Sequence, residues 1–186
     1  MIMRMRKLLG RLGGDRRGVS AVEFALLTPV MITFYLGCVE ISDGVAVSRK
    51  VSLTAASLAN LAAQTTTIST TDMTNILNAA TAIVAPSDST KLQITVSCLS
   101  IDANKNAKVK WSRANTGSGR TTGSTYTFDS SSSALDVAST QLILAEATYS
   151  YTPIVGTAIS GTLTLSDRMF MSPRISTPDY NGTTCS

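Results

Sequence analysis

The feature that most constrains the fold of this chain is an apolar run of 21 residues, Val19 to Val39, in which Glu23 is the only charged side chain. As an α-helix with a rise of about 1.5 Å per residue, this run is roughly 30 Å long, which matches the hydrocarbon core of a bilayer. The run therefore predicts a lipid-facing helix, and the residues that follow must form whatever domain this helix carries.

The excess positive charge lies ahead of that run. Residues 1–17 contain six basic side chains and one acidic side chain, whereas the rest of the chain contains ten basic and eleven acidic ones. The formal net charge of +4 thus belongs to a short leader and not to a folded surface, so we expect no nucleic acid partner. By the positive-inside rule, the leader predicts a single-pass protein with a cytoplasmic N-terminus and an external C-terminal domain.

Three interpretations of the apolar run are open from the residues alone. It is a secretory signal peptide with a weak cleavage site at 44–46, although Glu23 and Pro29 are unusual in the apolar part of such a signal. Alternatively, it is a plain anchor in which Glu23 lies near the interface and meets the positive end of the helix dipole. In the third interpretation, Gly18, Val19 and Glu23 act together as a processing and assembly motif.

The third interpretation has its own physical logic. Cleavage after Gly18 gives Val19 a free amino group, with a reference pKa of about 8, at the membrane surface. Val19 and Glu23 are four residues apart on one helical face, so the ammonium and the carboxylate can neutralise each other within one chain or between neighbours. A pair of this kind is more favourable in low dielectric than a lone carboxylate, and it can set the register of packed helices.

The helix is expected to continue far beyond the membrane. Apolar residues recur every three or four positions with alanines between them, which predicts one helix over residues 19–64, about 70 Å long. Pro29 has no N–H to donate and predicts a kink, with Thr28 and Thr33 as local polar partners. Gly44 is the candidate flex point of the outer half.

The remainder reads as a small α+β domain over residues 65–186. A second helix is expected from about Met73, with Thr71 or Asp72 as its N-cap. After Lys91 the pattern has the period of two that is typical of strands. One face is predicted to carry Leu92, Ile94, Val96 and Cys98, and the other Gln93, Thr95 and Ser97. A turn at 102–106 leads to a returning strand with Val109 and Trp111 on one face, then a Gly-, Ser- and Thr-rich loop over 113–133 that contains Tyr126 and Phe128, and two more strands.

The segment DRRGVSAVEFALLTPV resembles the N-terminus of TadE-like proteins, minor pseudopilins of the tight-adherence (Tad, or Flp) pilus, a type IV pilus system. The resemblance implies cleavage between Gly18 and Val19 by a prepilin peptidase, which would leave Glu23 fifth and Phe24 sixth in the mature chain. It also associates Pro29 with local melting of the helix on assembly. Looser similarities are a Tyr-x-Tyr-x-Pro strand, a Met-x-x-Arg turn (171–174) and a cysteine near the C-terminus.

The resemblance therefore implies a pilin-like α+β fold with a leader (1–18), a long helix (19–64) and an outer domain (65–186) packed on that helix. It implies membrane lipid, a prepilin peptidase, other pilins or pseudopilins and the inner-membrane assembly platform as partners, in a bacterial inner membrane. A membrane-anchored periplasmic adhesin or binding module outside any pilus is the alternative function.

Two of the three cysteines are predicted to pair. Cys38 lies inside the apolar run, whereas Cys98 and Cys185 fall outside the membrane in a compartment that permits disulfides, so these two are expected to form one. The chain has no histidine, and we expect no catalytic site, metal or cofactor. Asp129-Ser130-Ser131-Ser132-Ser133 contains the D-x-S-x-S pattern of adhesion metal sites, but its polar surroundings favour a Ser-rich loop.

Overall fold

A computed structural model describes residues 18–153, 156 and 161–185. Apart from Gly18, the leader expected at 1–18 lies outside these described residues. The chain forms a long helix, α1 (Val19–Ala63), a shorter helix, α2 (Thr70–Val84), and a five-stranded antiparallel sheet. The predicted α+β fold, with a long N-terminal helix packed against a small antiparallel sheet, is confirmed.

The strands form two sheets. The five-stranded sheet has the spatial order β4-β3-β2-β5-β6, and β1 pairs in parallel with β7 in a small second sheet that the sequence did not predict. The strands are β1 (Thr67–Ile68), β2 (Leu92–Ile101), β3 (Ala107–Ala114), β4 (Thr125–Tyr126), β5 (Thr140–Tyr151), β6 (Leu163–Met171) and β7 (Asp179–Tyr180). Because β2 lies between β3 and β5, the chain crosses from one side of β2 to the other through the segment that contains β4.

The main core lies between the sheet and the outer half of α1. This half of α1 packs against β5 and β6, and α2 packs beside it. The small side chains of α1 bring its backbone close to the sheet, and Leu58 and Val51 fill the space between them. The prediction that four residues of β2 share one face is confirmed, since all of them lie in this core and are at most 1% exposed: Leu92, Ile94, Val96 and Cys98.

The helix ends differ slightly from the predicted ones. Helix α1 ends at Ala63 with Gln64 as its C-cap, one residue earlier than expected. Helix α2 begins before the predicted N-cap because Ser69 and Asp72 form a capping box, in which each side chain accepts a hydrogen bond from the other residue's N–H. The prediction of Thr71 or Asp72 as the N-cap is therefore wrong. The hydrogen bonds from Ser69 hold the pKa of the Asp72 carboxyl below its usual range.

A β-bulge separates two residues that were predicted to share a face. Cys98 pairs with Trp111 and Leu99 pairs with Val109, so Lys110 is an extra residue in β3. Trp111 consequently packs in the main core, whereas Val109 belongs to a second cluster. The alternation that predicted a common face is interrupted at the extra residue, and that prediction is wrong.

The second cluster covers the opposite face of the sheet, and the segment predicted as a loop packs on that face. Residues 113–133 fold back over that face, with Tyr126 packing edge-on against Phe128 and Phe170. Ser97, predicted on the face opposite Cys98, is fully buried under this segment, where its hydroxyl pairs with that of Ser112 at 2.8 Å.

An ion pair holds the same segment on the sheet. Arg120 donates two hydrogen bonds to Glu146 on β5, at 2.8 and 2.7 Å. Its guanidinium also lies 5.0 Å from the ring centroid of Tyr126. The pair explains why the segment is ordered although its composition is typical of a flexible loop.

Candidate functional site

The predicted cleavage site lies at the start of α1. Gly18 precedes the first helical residue, is exposed, and has no atom within 4 Å of the position that a Cβ would take. Val19 is 52% exposed. The Gly18–Val19 peptide bond is thus accessible to a partner protein, and a small side chain at position 18 is sterically tolerated within the described chain.

Glu23 and Phe24 project from the second turn of the same helix. Glu23 is exposed, and the ion pairs found among the described residues, Arg120–Glu146 and Arg168–Asp129, do not involve it. Phe24 is 70% exposed. The structure therefore places the carboxylate one helical turn beyond Val19, where a new amino terminus would lie after cleavage.

Pro29 lies within a continuous helix. Helix α1 runs through it without interruption, and the two predicted polar neighbours are satisfied locally. The Thr28 hydroxyl donates to the Phe24 carbonyl at 2.6 Å, and the Thr33 hydroxyl donates to the Pro29 carbonyl at 2.9 Å. Since Pro29 has no N–H, the carbonyl four residues before it has no helical donor. The kink at this position stays a prediction.

The first half of α1 presents apolar side chains around its whole circumference. From Val19 to Val39 every residue is exposed or partly exposed, among them Leu26, Met31 and Phe34, each more than 65% exposed. This one helix, among the described residues, is long and apolar enough to cross a membrane. An apolar surface of this extent requires an apolar environment, which a bilayer or packed helices would supply.

The apolar run ends where the domain begins to cover the helix. Glu40, the first charged residue after Val39, is only 4% exposed. The Tyr151 hydroxyl, at the end of β5, donates to the Glu40 carbonyl oxygen at 3.3 Å. Burial raises the pKa of Tyr151, and the nearby carboxylates of Asp43 and Glu40 add to this shift. We call this contact the junction, defined by Glu40, Gly44 and Tyr151.

The junction assigns Gly44 a role that the sequence did not predict. A Cβ on Gly44 would lie 3.6 Å from Cε1 of Tyr151, so the tyrosine ring covers this glycine. Gly44 is buried and lies inside a continuous helix, so the described residues show a packing site where a flex point was expected. The sequence signal for this site was a small residue in a helix, eleven residues before Ala55, the first buried alanine of α1.

Lys50 on α1 forms hydrogen bonds to the C-terminal end of α2. Its ammonium donates to the carbonyl oxygens of Val84 and Ala85, at 3.3 and 2.9 Å, at the C-terminus of α2. A cation is favourable at this position because the last carbonyls of a helix carry partial negative charge. Sequence periodicity places Lys50 on α1 but cannot identify its partner.

The C-terminal tail of the chain is bonded to the C-terminal end of α1 and to the sheet. The structure contains the disulfide predicted between Cys98 and Cys185. The indole N–H of Trp111 donates to the Pro178 carbonyl at 3.0 Å, and the Arg174 N–H donates to the Ala63 carbonyl at 3.0 Å. The tail is thus attached to β2, to β3 and to the C-terminal end of α1. Cys38 is exposed on the apolar half of α1.

The D-x-S-x-S segment serves as a turn. The Asp129 carboxylate accepts hydrogen bonds from the hydroxyls of Ser131 and Ser132, at 2.9 and 2.6 Å, and pairs with Arg168 on β6. Among the described residues, no group of three or more His, Cys, Asp or Glu side chains is arranged to hold a metal ion.

An open cleft lies beside α2. It has a volume of about 640 Å³ and is bounded by α2, by residues 112–122 and by Tyr180. The Arg113 guanidinium is 4.7 Å from the ring centroid of Tyr180 at its edge. Most of the lining side chains are polar, as in sites that take polar ligands.

The family model for TadE-like protein matches residues 18–64, which correspond to Gly18, the whole of α1 and its C-cap. The N-terminal segment of this chain is thus similar to TadE-like protein. The resemblance read from Gly18, Glu23 and Phe24 is confirmed for this segment. No curated protein and no solved structure matches the chain.

Proposed function

We propose that this TadE-like chain is a minor pseudopilin of a Tad pilus, cleaved between Gly18 and Val19 by a prepilin peptidase. The observation that carries the proposal is the coincidence of two boundaries. The TadE-like match begins at Gly18, and α1 begins at Val19, so the Gly18–Val19 bond that we propose for cleavage is at the exposed start of an apolar helix. The proposal assigns no catalysis to the chain itself.

After cleavage, Glu23 is proposed to receive the amino group of Val19, either of its own chain or of a neighbour. Glu23 is exposed on α1 and pairs with no described residue, so its carboxylate is available to a partner. The surrounding exposed apolar surface favours packing with the helices of other pilins or pseudopilins, on the inner-membrane assembly platform. The N-terminus would be cytoplasmic before cleavage, and the domain periplasmic.

The experiment that tests processing compares the mature N-terminus of wild type with that of Gly18→Ala. Cells that contain a prepilin peptidase should release a chain that begins at Val19, and Gly18→Ala should retain the leader. Because no described atom lies within 4 Å of the new methyl group, the loss is expected without a folding defect. Gly44→Ala is the matched control, since its methyl group makes an ordinary contact and lies far from the bond.

The pairing role of Glu23 is tested separately. Glu23→Ala and Glu23→Gln should both keep the fold and reduce recovery of the mature chain with its pilin partners, because both remove the negative charge. If cleavage, assembly and heteromer formation were unchanged in both variants, the amine-pairing role would be wrong. An intact leader in wild-type cells would refute processing altogether.

A membrane-anchored binding module is the second candidate, favoured by the polar cleft beside α2. The two functions differ in their response to Gly18→Ala. A binding module keeps its activity with the leader attached, whereas the pseudopilin requires removal of the leader for assembly.

A further inference from the structure

We propose that the open cleft beside α2 is a binding site for an acidic sugar, whose carboxylate is held by Arg113. The inference goes beyond the pseudopilin proposal, since it requires neither cleavage at Gly18 nor assembly, and it names a ligand class for the cleft that favours the second candidate function. Three observations carry it: the charge of the lining, the way in which Arg113 is held, and the position of the cleft in the domain.

The lining of the cleft offers positive charge and no negative charge. Among the described residues, two arginines and no aspartate or glutamate line it. Arg120 is neutralised by its ion pair with Glu146, so the uncompensated charge is that of Arg113. The acidic residue of α2, Asp72, does not line the cleft, and its carboxylate accepts hydrogen bonds from Ser69. The cleft therefore attracts an anion.

Arg113 is held at the edge of the cleft without being neutralised. Its guanidinium lies 4.7 Å from the ring centroid of Tyr180, and the two ion pairs found among the described residues do not include it. Burial by itself would raise the pKa of Tyr180, but hydrogen bonds with Arg113 and Thr70 outweigh burial and lower that pKa. Because Tyr180 is only 5% exposed, it gives the guanidinium a fixed support. A guanidinium matches both oxygens of a carboxylate, so Arg113 is preorganised to bind one.

The rest of the lining suits the hydroxyl groups of a sugar. Serine and threonine side chains, which both donate and accept hydrogen bonds, line the cleft from two sides. They are Thr70 and Thr74 on α2, and Ser118, Thr121 and Thr122 in the segment 113–133. Met73 and Leu77 add apolar surface on the α2 side. The volume of about 640 Å³ lies in the range of pockets that bind small organic molecules, and it exceeds what one inorganic ion requires.

The cleft lies at the end of the domain that is farthest from the apolar run. Tyr180 pairs with Ile68, five residues after α1 ends at Ala63. Between Glu40 and Ala63 the helix rises about 34 Å, so the cleft is well separated from the residues that would lie in a membrane. A lipid headgroup of that membrane cannot reach the cleft, and the anion therefore comes from the solution around the domain.

The test measures binding of a galacturonic acid trimer to the purified full chain in detergent. Maltotriose is the neutral sugar control, and inorganic phosphate tests for a plain anion site. Binding is followed by calorimetry and by the emission of Trp111, whose ring centroid is 5.7 Å from that of Tyr180. We expect the acidic trimer to bind, more weakly at high ionic strength, and maltotriose not to bind.

Two variants test the cleft itself. Arg113→Gln should weaken binding of the acidic trimer by about tenfold or more, because hydrogen bonds to a charged group are among the strongest. Lys108→Gln is the matched control, since it removes one positive charge from the same strand at an exposed position outside the cleft. Ser118→Glu keeps Arg113 but adds a carboxylate to the lining, so it should also weaken binding.

Loss of affinity in both cleft variants, with wild-type affinity in Lys108→Gln, supports the proposal. If the trimer does not bind, or if Arg113→Gln binds it as tightly as wild type, the acidic-sugar site is refuted. If Arg113→Gln fails to fold, wild-type affinity in Ser118→Glu refutes it instead. If phosphate binds as tightly as the trimer, the cleft is a plain anion site and the sugar ligand is wrong. None of these results depends on the leader, so processing at Gly18 stands or fails by its own test.

Discussion

Removal of the Cys98–Cys185 disulfide is expected to lower the free energy of unfolding of the domain by several kcal/mol. The bond joins residues 87 positions apart. In the chain-entropy model, closing a loop of this size in the unfolded chain contributes about 4 to 5 kcal/mol. The same bond holds the tail that bonds to Trp111 and to the end of α1, so the loss should extend to those contacts.

The assay is urea unfolding of the full chain in detergent, followed by the emission of Trp111. Trp111 is the only tryptophan, is 3% exposed, and lies directly across the sheet from Cys98. Oxidised wild type is compared with Cys98→Ala/Cys185→Ala and with reduced wild type, which keeps both sulfur atoms and so isolates the cross-link. Roughly 2 to 5 kcal/mol should separate the oxidised and reduced proteins.

Cys38→Ser is the matched control, since this cysteine is exposed and unpaired, and it should change stability by less than about 0.5 kcal/mol. If reduction also changes the free energy of unfolding by less than that amount, the disulfide does not restrain the unfolded chain as argued. The tail would then be held by its hydrogen bonds and packing alone.

Three further predictions concern single residues. Gly119→Ala should lower the free energy of unfolding by about 1 to 3 kcal/mol in urea, because its Cβ would lie 2.9 Å from the backbone carbon of Ser112. An unchanged free energy of unfolding would show that the segment 113–133 can shift to make room for the methyl group. Tyr151→Phe should cost about 0.5 to 1.5 kcal/mol through the lost bond to Glu40. Because burial raises the pKa of Tyr151, its contribution is complete below pH 10 and is lost as the pH rises through the folded-state pKa, so the variant should lose less stability in alkali. Asp72→Asn should reduce the loss of unfolding free energy at acid pH. The lowered pKa of Asp72 gives stability that is present above about pH 4 and lost as the pH falls through the folded-state pKa. The same decrease in unfolding free energy below about pH 4 in wild type and variant would contradict this.

Much of the helical part could be predicted from local sequence. The apolar run from Val19 and the small-residue periodicity after it specify α1 to within one residue, because both signals depend only on neighbours along one helix. The same holds for the shared face of Leu92, Ile94, Val96 and Cys98 on β2. The processing motif is also local, since Gly18, Val19 and Glu23 lie within six residues.

The sheet shows where local signals fail. The extra residue at Lys110 depends on how β3 pairs with β2, and alternation within β3 alone cannot show it. Likewise, the composition of residues 113–133 predicts a loop but not where the loop packs, which is set by the pairing of Arg120 with Glu146 on a distant strand. Neither feature could be predicted, because the surroundings of a strand are set by partners far away in sequence.

The sequence by itself determined that this chain has a membrane-length helix with a TadE-like start, an outer α+β domain and a pair of cysteines available for a disulfide. Those properties follow from hydrophobicity, periodicity and charge along short stretches. The tertiary structure alone decided where along α1 the domain begins to cover the helix. The hydroxyl of Tyr151, at the end of β5, donates to the Glu40 carbonyl directly after the apolar run. This contact depends on packing between segments about 110 residues apart, which no local pattern encodes.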